Sequence, residues 1–390
     1  MKSTLQTYPL FINMYTRIIE KGIKNDLLKG KIIIIYGPRQ VGKTTLSKKI
    51  LSEYAEKSLY FDCQVQSVHD FLVPNPKLFK EKIGNAKIVV LDEAQYVPDI
   101  GRVLKVFHDA YPEVQLIVTG SSSFDLAHKT TESLAGRTRE YTMFPLSAEE
   151  IIAKNGRHYF DTSKESFFRF GMYPAIVGRG EQDMTQDLET LQGAVLYKDI
   201  LSLDGVQKPK LLVDLLKALA LQVGSEVSNS SLSKLLGTSV PTIDRYMDIL
   251  EKMFIIKRLY ALSRNPRVEI RKGFKVYFLD LGIRNSIIKN HNSLDVRTDK
   301  GALFENFFII ERLKYLKNHF VSANMYFWRT IDQKEIDYVE EREGMLFGFE
   351  CSYSDKSISL ARKKFQSLYT NIDSVRLITN ENIVPLLTGE

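Results

Sequence analysis

The sequence predicts an α/β protein whose first part is a parallel β-sheet with flanking helices. Three short apolar runs support this prediction, namely Lys31–Tyr36 with four consecutive isoleucines, Lys87–Leu91 and Val114–Thr119. Runs rich in β-branched residues are typical of strands that are covered on both faces. Helical stretches lie between them, and alternating strands and helices favour a parallel sheet with right-handed crossovers.

Length and composition are those of a globular protein with two or three domains. The chain has 390 residues, of which 44% are hydrophobic and 26% charged. Its apolar runs are too short to cross a bilayer, and its first residues lack the features of a signal peptide. Together with two isolated cysteines, this predicts a cytoplasmic protein without a membrane partner. The net charge of +7 is compatible with a nucleic-acid partner but does not require one.

The first strand leads directly into Gly37–Thr44, which reads GPRQVGKT. This is the pattern G-x-x-x-x-G-K-[ST] of the phosphate-binding P-loop, and a helical stretch follows it at once. Backbone N–H groups of such a loop surround phosphate oxygens, the lysine supplies a charge and the threonine hydroxyl binds Mg²⁺. The sequence therefore predicts binding of ATP and Mg²⁺ by Gly37, Pro38, Arg39, Gln40, Val41, Gly42, Lys43, Thr44 and Thr45.

Acidic and hydroxyl side chains end the next two central strands. Asp92 and Glu93 follow Lys87–Leu91, the Walker B pattern, in which the first acid reaches Mg²⁺ and the second orients water. Thr119 and Ser121 end the following strand and are candidates to contact the γ-phosphate or the attacking water; a helix N-cap is the alternative role. Because parallel strands bind ligands at their carboxyl ends, all these residues are expected at one site.

Two further motifs follow in a fixed order, LAGR at Leu134–Arg137 and FPLS at Phe144–Ser147. With them, nearly the whole chain resembles bacterial and archaeal AAA-type ATPases whose C-terminal domain is of unknown function. The resemblance implies that Lys43 and Thr44 act at the phosphates and at Mg²⁺. It also implies that Arg137 neutralises transition-state charge, either in cis or in a neighbouring subunit. A structural salt bridge is the alternative for this arginine.

The sequence of the middle of the chain predicts a pair of helices followed by a two-stranded wing. Asn229–Leu236 and Thr242–Lys252 flank a glycine-containing turn, as in a helix-turn-helix. Phe254–Ala261 and Lys275–Leu279 would form the wing, with a basic loop between them. The second helix carries two aspartates and one arginine, so contact with DNA and a packing or protein-interaction role both remain open.

The C-terminal part predicts a helix, three successive strands, another helix and a last strand. This order resembles the restriction-endonuclease-like core, which implies a metal site formed by Glu305, Asp337 and Glu350. Ser352 stands where that core has its lysine, and serine cannot stabilise charge near an attacking water. The sequence therefore favours a nuclease core that has lost activity and serves binding or packing, over one that cleaves nucleic acid.

The sequence thus predicts an ATP-hydrolysing switch or motor of the AAA type. Double-stranded DNA is one candidate partner. The alternative is a nucleotide-dependent regulator of another protein, with the nuclease-like part as a scaffold. Whether the chain forms a homo-oligomer is left open. The predicted domains are an ATPase core at 1–146, a helical lid at 147–208, a winged helix at 209–285 and a restriction-endonuclease-like α/β domain at 295–390.

Overall fold

The computed structural model describes residues 14–120, 134–193, 208–262, 273–330, 332–353 and 360–389. Ser121 and the basic loop predicted between the wing strands lie outside these residues. The chain divides into two compact units. The first contains Met1–Gly37, Gly42–Leu146 and Glu150–Gly156; the second contains Pro38–Val41, Ser147–Glu149 and Arg157–Glu390.

The first unit is built on a five-stranded sheet of order β2-β3-β4-β1-β5. Every neighbouring pair of strands is parallel, which confirms the predicted sheet. The strands are β1 Ile32–Tyr36, β2 Ser58–Asp62, β3 Ile88–Asp92, β4 Gln115–Gly120 and β5 Thr138–Thr142. The helices are α1 Ile19–Asp26, α2 Lys43–Ser52, α3 Gln66–His69, α4 Pro76–Ile83 and α5 Ile100–Ala110, with 3₁₀ turns at Ala55–Lys57 and Ala94–Tyr96.

Burial explains why the apolar runs form the centre of this sheet. All residues of β1, β3 and β4 are buried, whereas the edge strands β2 and β5 are partly exposed. The four isoleucines of β1 are each at most 1% exposed. Burying such a side chain stabilises the fold by roughly 1.5–3 kcal/mol. The rigid central strands therefore fix the positions of the polar residues at their carboxyl ends.

Helix α6 spans Ala148–Asn155. The second unit then contains α7 Arg157–Phe170, α8 Glu181–Gln192, α9 Pro209–Leu221, α10 Asn229–Leu236, α11 Val240–Lys252, α12 Leu281–Ile287, α13 Lys300–Asn318, α14 Leu360–Leu368 and α15 Ile383–Thr388, with a 3₁₀ turn at Leu294–Val296. Among the described helices, none combines the length and the apolar character that are needed to span a bilayer.

A single seven-stranded sheet, of order β12-β11-β10-β9-β7-β8-β6, runs through the second unit. Its strands are β6 Glu226–Val227, β7 Ile256–Ala261, β8 Phe274–Phe278, β9 Asn324–Arg329, β10 Glu335–Arg342, β11 Met345–Cys351 and β12 Ile372–Ile378. β9, β10 and β11 form the predicted antiparallel meander.

Strands β7 and β9 pair in parallel, with Tyr260 opposite Tyr326 and Ala261 opposite Phe327. This pairing joins the strands predicted for the wing to those predicted for the nuclease-like core. Strand pairing therefore crosses the boundary that the sequence predicts between 209–285 and 295–390. The boundaries themselves, and the likeness of these parts to a winged helix and to a nuclease, stay predictions.

The second unit also explains the motif Phe170–Pro174. Gly171 adopts φ +74°, and a Cβ at this position would collide with the carboxylate of Asp280. That buried carboxylate accepts hydrogen bonds from the backbone N–H of Met172 at 2.8 Å and of Ile283 at 3.1 Å. The motif thus packs around the buried carboxylate of Asp280, which caps helix α12. These contacts are structural packing contacts.

Candidate functional site

The carboxyl ends of β1, β3 and β4 meet at one edge of the first sheet. β4 lies between β3 and β1, and all three strands run in the same direction. Strand β1 leads into the P-loop, β3 ends at Asp92 and the side chain of Thr119 lies near the end of β4. The sheet therefore brings the predicted phosphate, metal and water residues to the same place.

Two backbone features shape the P-loop. Gly37 adopts φ +152°, and a Cβ there would collide with the carbonyl oxygen of Met143, whose own N–H bonds to Tyr36 O at 2.7 Å. Gly42 is left-handed at φ +101° and stands at the N-cap of α2. Only glycine fits both positions without strain. The loop therefore turns tightly and presents the first N–H groups of α2, an anion-binding arrangement.

Lys43 lies inside this loop. Its Nζ donates a 2.8 Å hydrogen bond to the carbonyl oxygen of Gly37, and the side chain is buried. Of the other predicted contact residues, Val41 is buried, while Gln40, with φ +62°, and Thr45, in the first turn of α2, are exposed. The lysine is thus folded along the loop, where an arriving phosphate would meet its charge.

Asp92 is the point at which the hydroxyl groups of the site converge. Its Oδ2 accepts hydrogen bonds of 2.7 Å from Thr44 Oγ1 and from Tyr60 OH, and its Oδ1 accepts one from Thr119 Oγ1. The carboxylate is only 3% exposed. Such bonds hold both oxygen atoms of the predicted Mg²⁺ ligand in fixed directions.

Sequence reasoning missed Tyr60, which lies on the neighbouring strand β2. Strand register offers the missing signal: Asp62 pairs with Asp92 in parallel, so Tyr60 lies two residues back on the same face of β2 as Asp62. Burial, and then the hydrogen bond to Asp92, raise the pKa of Tyr60 above its usual range. The phenol therefore keeps its proton and acts as a hydrogen-bond donor.

Glu93 has a strained backbone conformation, and hydrogen bonds with neighbouring side chains stabilise it. It adopts φ +54°, a left-handed conformation that costs a non-glycine residue about 1–3 kcal/mol. Its N–H donates a 3.0 Å bond to Thr119 Oγ1, and its Oε2 accepts a bond from Gln95 Nε2. Thr119 therefore links Asp92 to Glu93. Gln95 is a second residue that the sequence did not single out.

Arg137 lies away from the P-loop. The residue precedes β5, and Ile32 at the beginning of β1 bonds to its carbonyl oxygen and pairs with Thr138. Arg137 therefore lies at the amino edge of the sheet, the length of β1 away from the P-loop. Its guanidinium forms a two-point ion pair with Asp109, at 2.7 and 3.1 Å. This is the structural salt bridge, and an action in cis on the nucleotide does not fit this position.

The predicted metal residues of the C-terminal part are only partly brought together. Asp337 accepts a 2.7 Å bond from the N–H of Cys351, and both groups interact electrostatically with Glu305. Consecutive strand residues point to opposite faces, so Glu350 projects away from the side on which Cys351 meets this cluster. The cluster also contains Lys275, which forms ion pairs with Glu305 and Glu335. Among the described residues, no group of three or more His, Cys, Asp or Glu side chains is arranged to hold a metal ion.

The predicted helix pair is present as α10 and α11, separated by a turn with Gly237 at φ +61°. The acids of α11 are engaged by one arginine of β7. Arg258 pairs with Asp244 at 3.7 Å, with Glu251 at 2.6 Å and with Asp248. Its side chain is 9% exposed, so this charge is used within the unit.

Comparisons with known proteins agree with the site in the first unit. Residues 29–152 match the family described as AAA domain. Residues 164–294 match a domain of unknown function (DUF8612), and residues 300–387 match another (DUF4143).

Relatives and a solved structure extend the likeness along the chain. An uncharacterised protein of Mycobacterium tuberculosis is 27% identical over 363 residues, which are 91% of this chain and 77% of that protein. One of Haemophilus influenzae is 24% identical over 343 residues, 80% of each chain. The Walker-type ATPase of Pyrococcus abyssi has 18% identity and a TM-score of 0.50 over 70% of this chain and 96% of that one, which shows a shared fold. Residues 29–152 therefore match the AAA domain family and have the fold of a P-loop NTPase.

Proposed function

We propose that the first unit hydrolyses ATP with Mg²⁺ at the carboxyl edge of β1, β3 and β4. The residues present fit both ligands. Gly37 keeps the cradle free of a side chain, and Thr44 and Asp92 supply the hard oxygen atoms that Mg²⁺ prefers. Bound Mg²⁺ would neutralise charge that develops during phosphoryl transfer. The convergence of three hydroxyl groups on Asp92 is the observation that carries this proposal.

Each residue has a role that its contacts support. Lys43 would exchange its bond with Gly37 O for bonds to phosphate oxygens, and the first N–H groups of α2 would add theirs. Glu93 would accept a hydrogen bond from the attacking water and so orient it. Thr119 and Gln95 hold Glu93 for this purpose. The Oε1 of Gln95 is buried and has no hydrogen-bond partner among the described residues, so it can accept the second bond of the same water.

Separating binding from turnover tests these roles. We expect Lys43→Ala to lose ATP binding, and Glu93→Gln to bind ATP without hydrolysing it, because the neutral amide is a far weaker proton acceptor than the carboxylate. Measurements of fluorescent-nucleotide affinity and of phosphate release report the two steps. Glu113→Gln, which changes an exposed acid of the same unit, is the matched control. Full phosphate release by Glu93→Gln would contradict the role of this residue.

We further propose that ATP hydrolysis acts on a partner of the second unit, for which two candidates remain. The helix pair α10 and α11 supports double-stranded DNA. The charge of α11 supports a partner protein instead. Its three acids form ion pairs with Arg258, so this region has no excess of positive charge with which to bind phosphate groups. Leu235 and Val240 beside the turn are also exposed, at 63% and 43%, and would suit an apolar contact.

Salt dependence and nucleotide dependence distinguish these candidates. A DNA partner requires a gel shift that weakens steeply with salt, and an ATPase rate that responds to duplex DNA. A protein partner requires capture that differs between ADP and a non-hydrolysable ATP analogue, since a switch must bind differently in its two states. Absence of a gel shift at low salt would exclude the DNA candidate.

A further inference from the structure

A buried lysine occupies the acid cluster of the second unit. Lys275 lies on β8, and its side chain is 4% exposed. Its Nζ lies 2.9 Å from Glu305 Oε1 on α13 and forms a second ion pair with Glu335 on β10. Burial alone would lower the pKa of Lys275, but attraction by Glu305, Glu335 and Asp337 raises it above the usual range. Lys275 is therefore positively charged, and it contacts helix α13 through Glu305 and strand β10 through Glu335.

Two of the acids around this ammonium also accept hydrogen bonds from other groups of the chain. Tyr277, fully buried on β8, donates a 2.6 Å hydrogen bond to Glu305 Oε1, the same oxygen that meets Lys275. Asp337 accepts the N–H of Cys351 at 2.7 Å. One oxygen atom of Glu305 and one of Asp337 are thus directed at N–H and O–H groups of the chain.

Cations of the chain lie beside the acids of this cluster. Glu305 and Glu335 form ion pairs with Lys275, and Asp337 also attracts its charge. Arg329 pairs with Glu335 at 3.6 Å and with Glu226 at 3.3 Å. The chain therefore supplies positive charge to this cluster from its own side chains.

The donor set does not fit the divalent metal that a nuclease-like core implies. Mg²⁺ requires several oxygen ligands in an octahedral arrangement, and among the described residues no three His, Cys, Asp or Glu side chains are arranged to hold a metal ion. A metal ion bound at Glu305 Oε1 would have to share this oxygen with both Lys275 and Tyr277.

We propose that the ammonium of Lys275 is a resident cation that takes the place of a divalent metal between Glu305 and Asp337 and closes this cluster to metal ions. The lysine thereby fastens β8 to α13 and β10. Two properties follow from this arrangement. The native cluster binds no divalent ion, and removal of the lysine charge creates a site for one.

Mn²⁺ binding to the full-length, nucleotide-free protein tests both properties. Electron paramagnetic resonance counts bound Mn²⁺ in the native protein, Glu305→Gln, Lys275→Met and the double variant. We expect equal binding by the native protein and Glu305→Gln. Lys275→Met should gain about one Mn²⁺ ion per chain through freed carboxylate oxygens, and the double variant should lose it again.

Three results would overturn the proposal. One is an Mn²⁺ ion that the native protein binds and Glu305→Gln does not. Another is a folded Lys275→Met protein that gains no Mn²⁺. The third is plasmid cleavage by the native protein in Mg²⁺ that Glu305→Gln abolishes. If Lys275→Met does not fold, as judged by circular dichroism, the comparison of the native protein with Glu305→Gln still decides, and Lys275→Arg, which keeps the charge, should fold.

Discussion

The hydroxyl of Tyr60 donates a 2.7 Å hydrogen bond to Oδ2 of Asp92 on the neighbouring strand. The same oxygen accepts a bond of equal length from Thr44 Oγ1. A strand that carries none of the recognised motifs therefore takes part in orienting the acid on which the proposed Mg²⁺ site depends.

Replacement of Tyr60 by phenylalanine should weaken this site while keeping the ring in place. Residues that orient a metal ligand typically contribute 10–100-fold to metal affinity. Because Asp92 retains its bonds to Thr44 and Thr119, we expect the low end, a rise of about tenfold in the Mg²⁺ concentration for half-maximal ATPase activity. Titration of the ATPase activity with Mg²⁺ measures this concentration. Tyr54→Phe, at a partly exposed position, should leave the midpoint unchanged; an unchanged midpoint in Tyr60→Phe would remove Tyr60 from the site.

Arg137→Ala should leave the ATPase rate within about twofold of the native rate, because its guanidinium pairs with Asp109 at the amino edge of the sheet. An arginine that stabilises the transition state contributes about 10³–10⁵ to the rate. Steady-state phosphate release distinguishes a change within twofold from a loss of this size. Asp109→Asn removes the other member of the ion pair, and its ATPase rate should also stay close to the native rate. A loss of 10³ in Arg137→Ala alone would instead indicate an action on a neighbouring subunit.

Gly171→Ala should destabilise the second unit strongly. The left-handed backbone at this residue costs an alanine about 1–3 kcal/mol, and its Cβ would also collide with the carboxylate of Asp280. Gly178→Ala is the matched control, since Gly178 has φ +85° but only the Tyr159 hydroxyl nearby, at 3.7 Å. Urea unfolding should therefore show a larger loss for Gly171→Ala. Equal losses would mean that the collision is relieved without cost.

Asp299 should stabilise the protein above pH 4 and lose this effect in acid. Burial opposes ionisation, but hydrogen bonds from Arg297 and then Arg284 lower the pKa of Asp299 to about 2. Because the folded pKa is below the unfolded value, the stabilisation is present above about pH 4 and is lost as the pH falls towards 2. We expect about 1–2 kcal/mol, discounted for partial exposure.

The difference in unfolding free energy between the native protein and Asp299→Asn, measured from pH 7 to pH 2.5, tests this expectation. The two curves should run parallel above pH 5 and converge below pH 4. Asp295→Asn, a nearby exposed acid, provides the control. Curves that stay parallel into acid would show that Asp299 contributes by packing rather than by charge.

Local pattern predicted the first unit better than the second. The isoleucine strand, the P-loop glycines and the acids at strand ends follow from neighbouring residues, and the sheet places them as expected. Tyr60 and Gln95 could not be predicted in the same way, since strand order, which local pattern does not reveal, decides that β2 lies beside β3. The two alternatives for Arg137 stayed open, because a motif does not show at which edge of the sheet its side chain ends.

The acid cluster shows the same limit more sharply. Position 352 carries serine, and the sequence therefore indicated a lysine that had been lost. The structure instead places Lys275 against Glu305, from a position far away in the chain and on a strand predicted for the wing. Within the described part of the chain, the pairing of β7 with β9 brings the two regions into one sheet.

That pairing also has a consequence for how the chain is made. Until β9 has been synthesised, β7 has one unpaired edge, and exposed edges invite association with other chains. Contacts between regions so distant in sequence form slowly, because a long loop must close first. During translation the helix pair therefore precedes the sheet that supports it, and fragments that end before residue 324 are expected to aggregate rather than to fold.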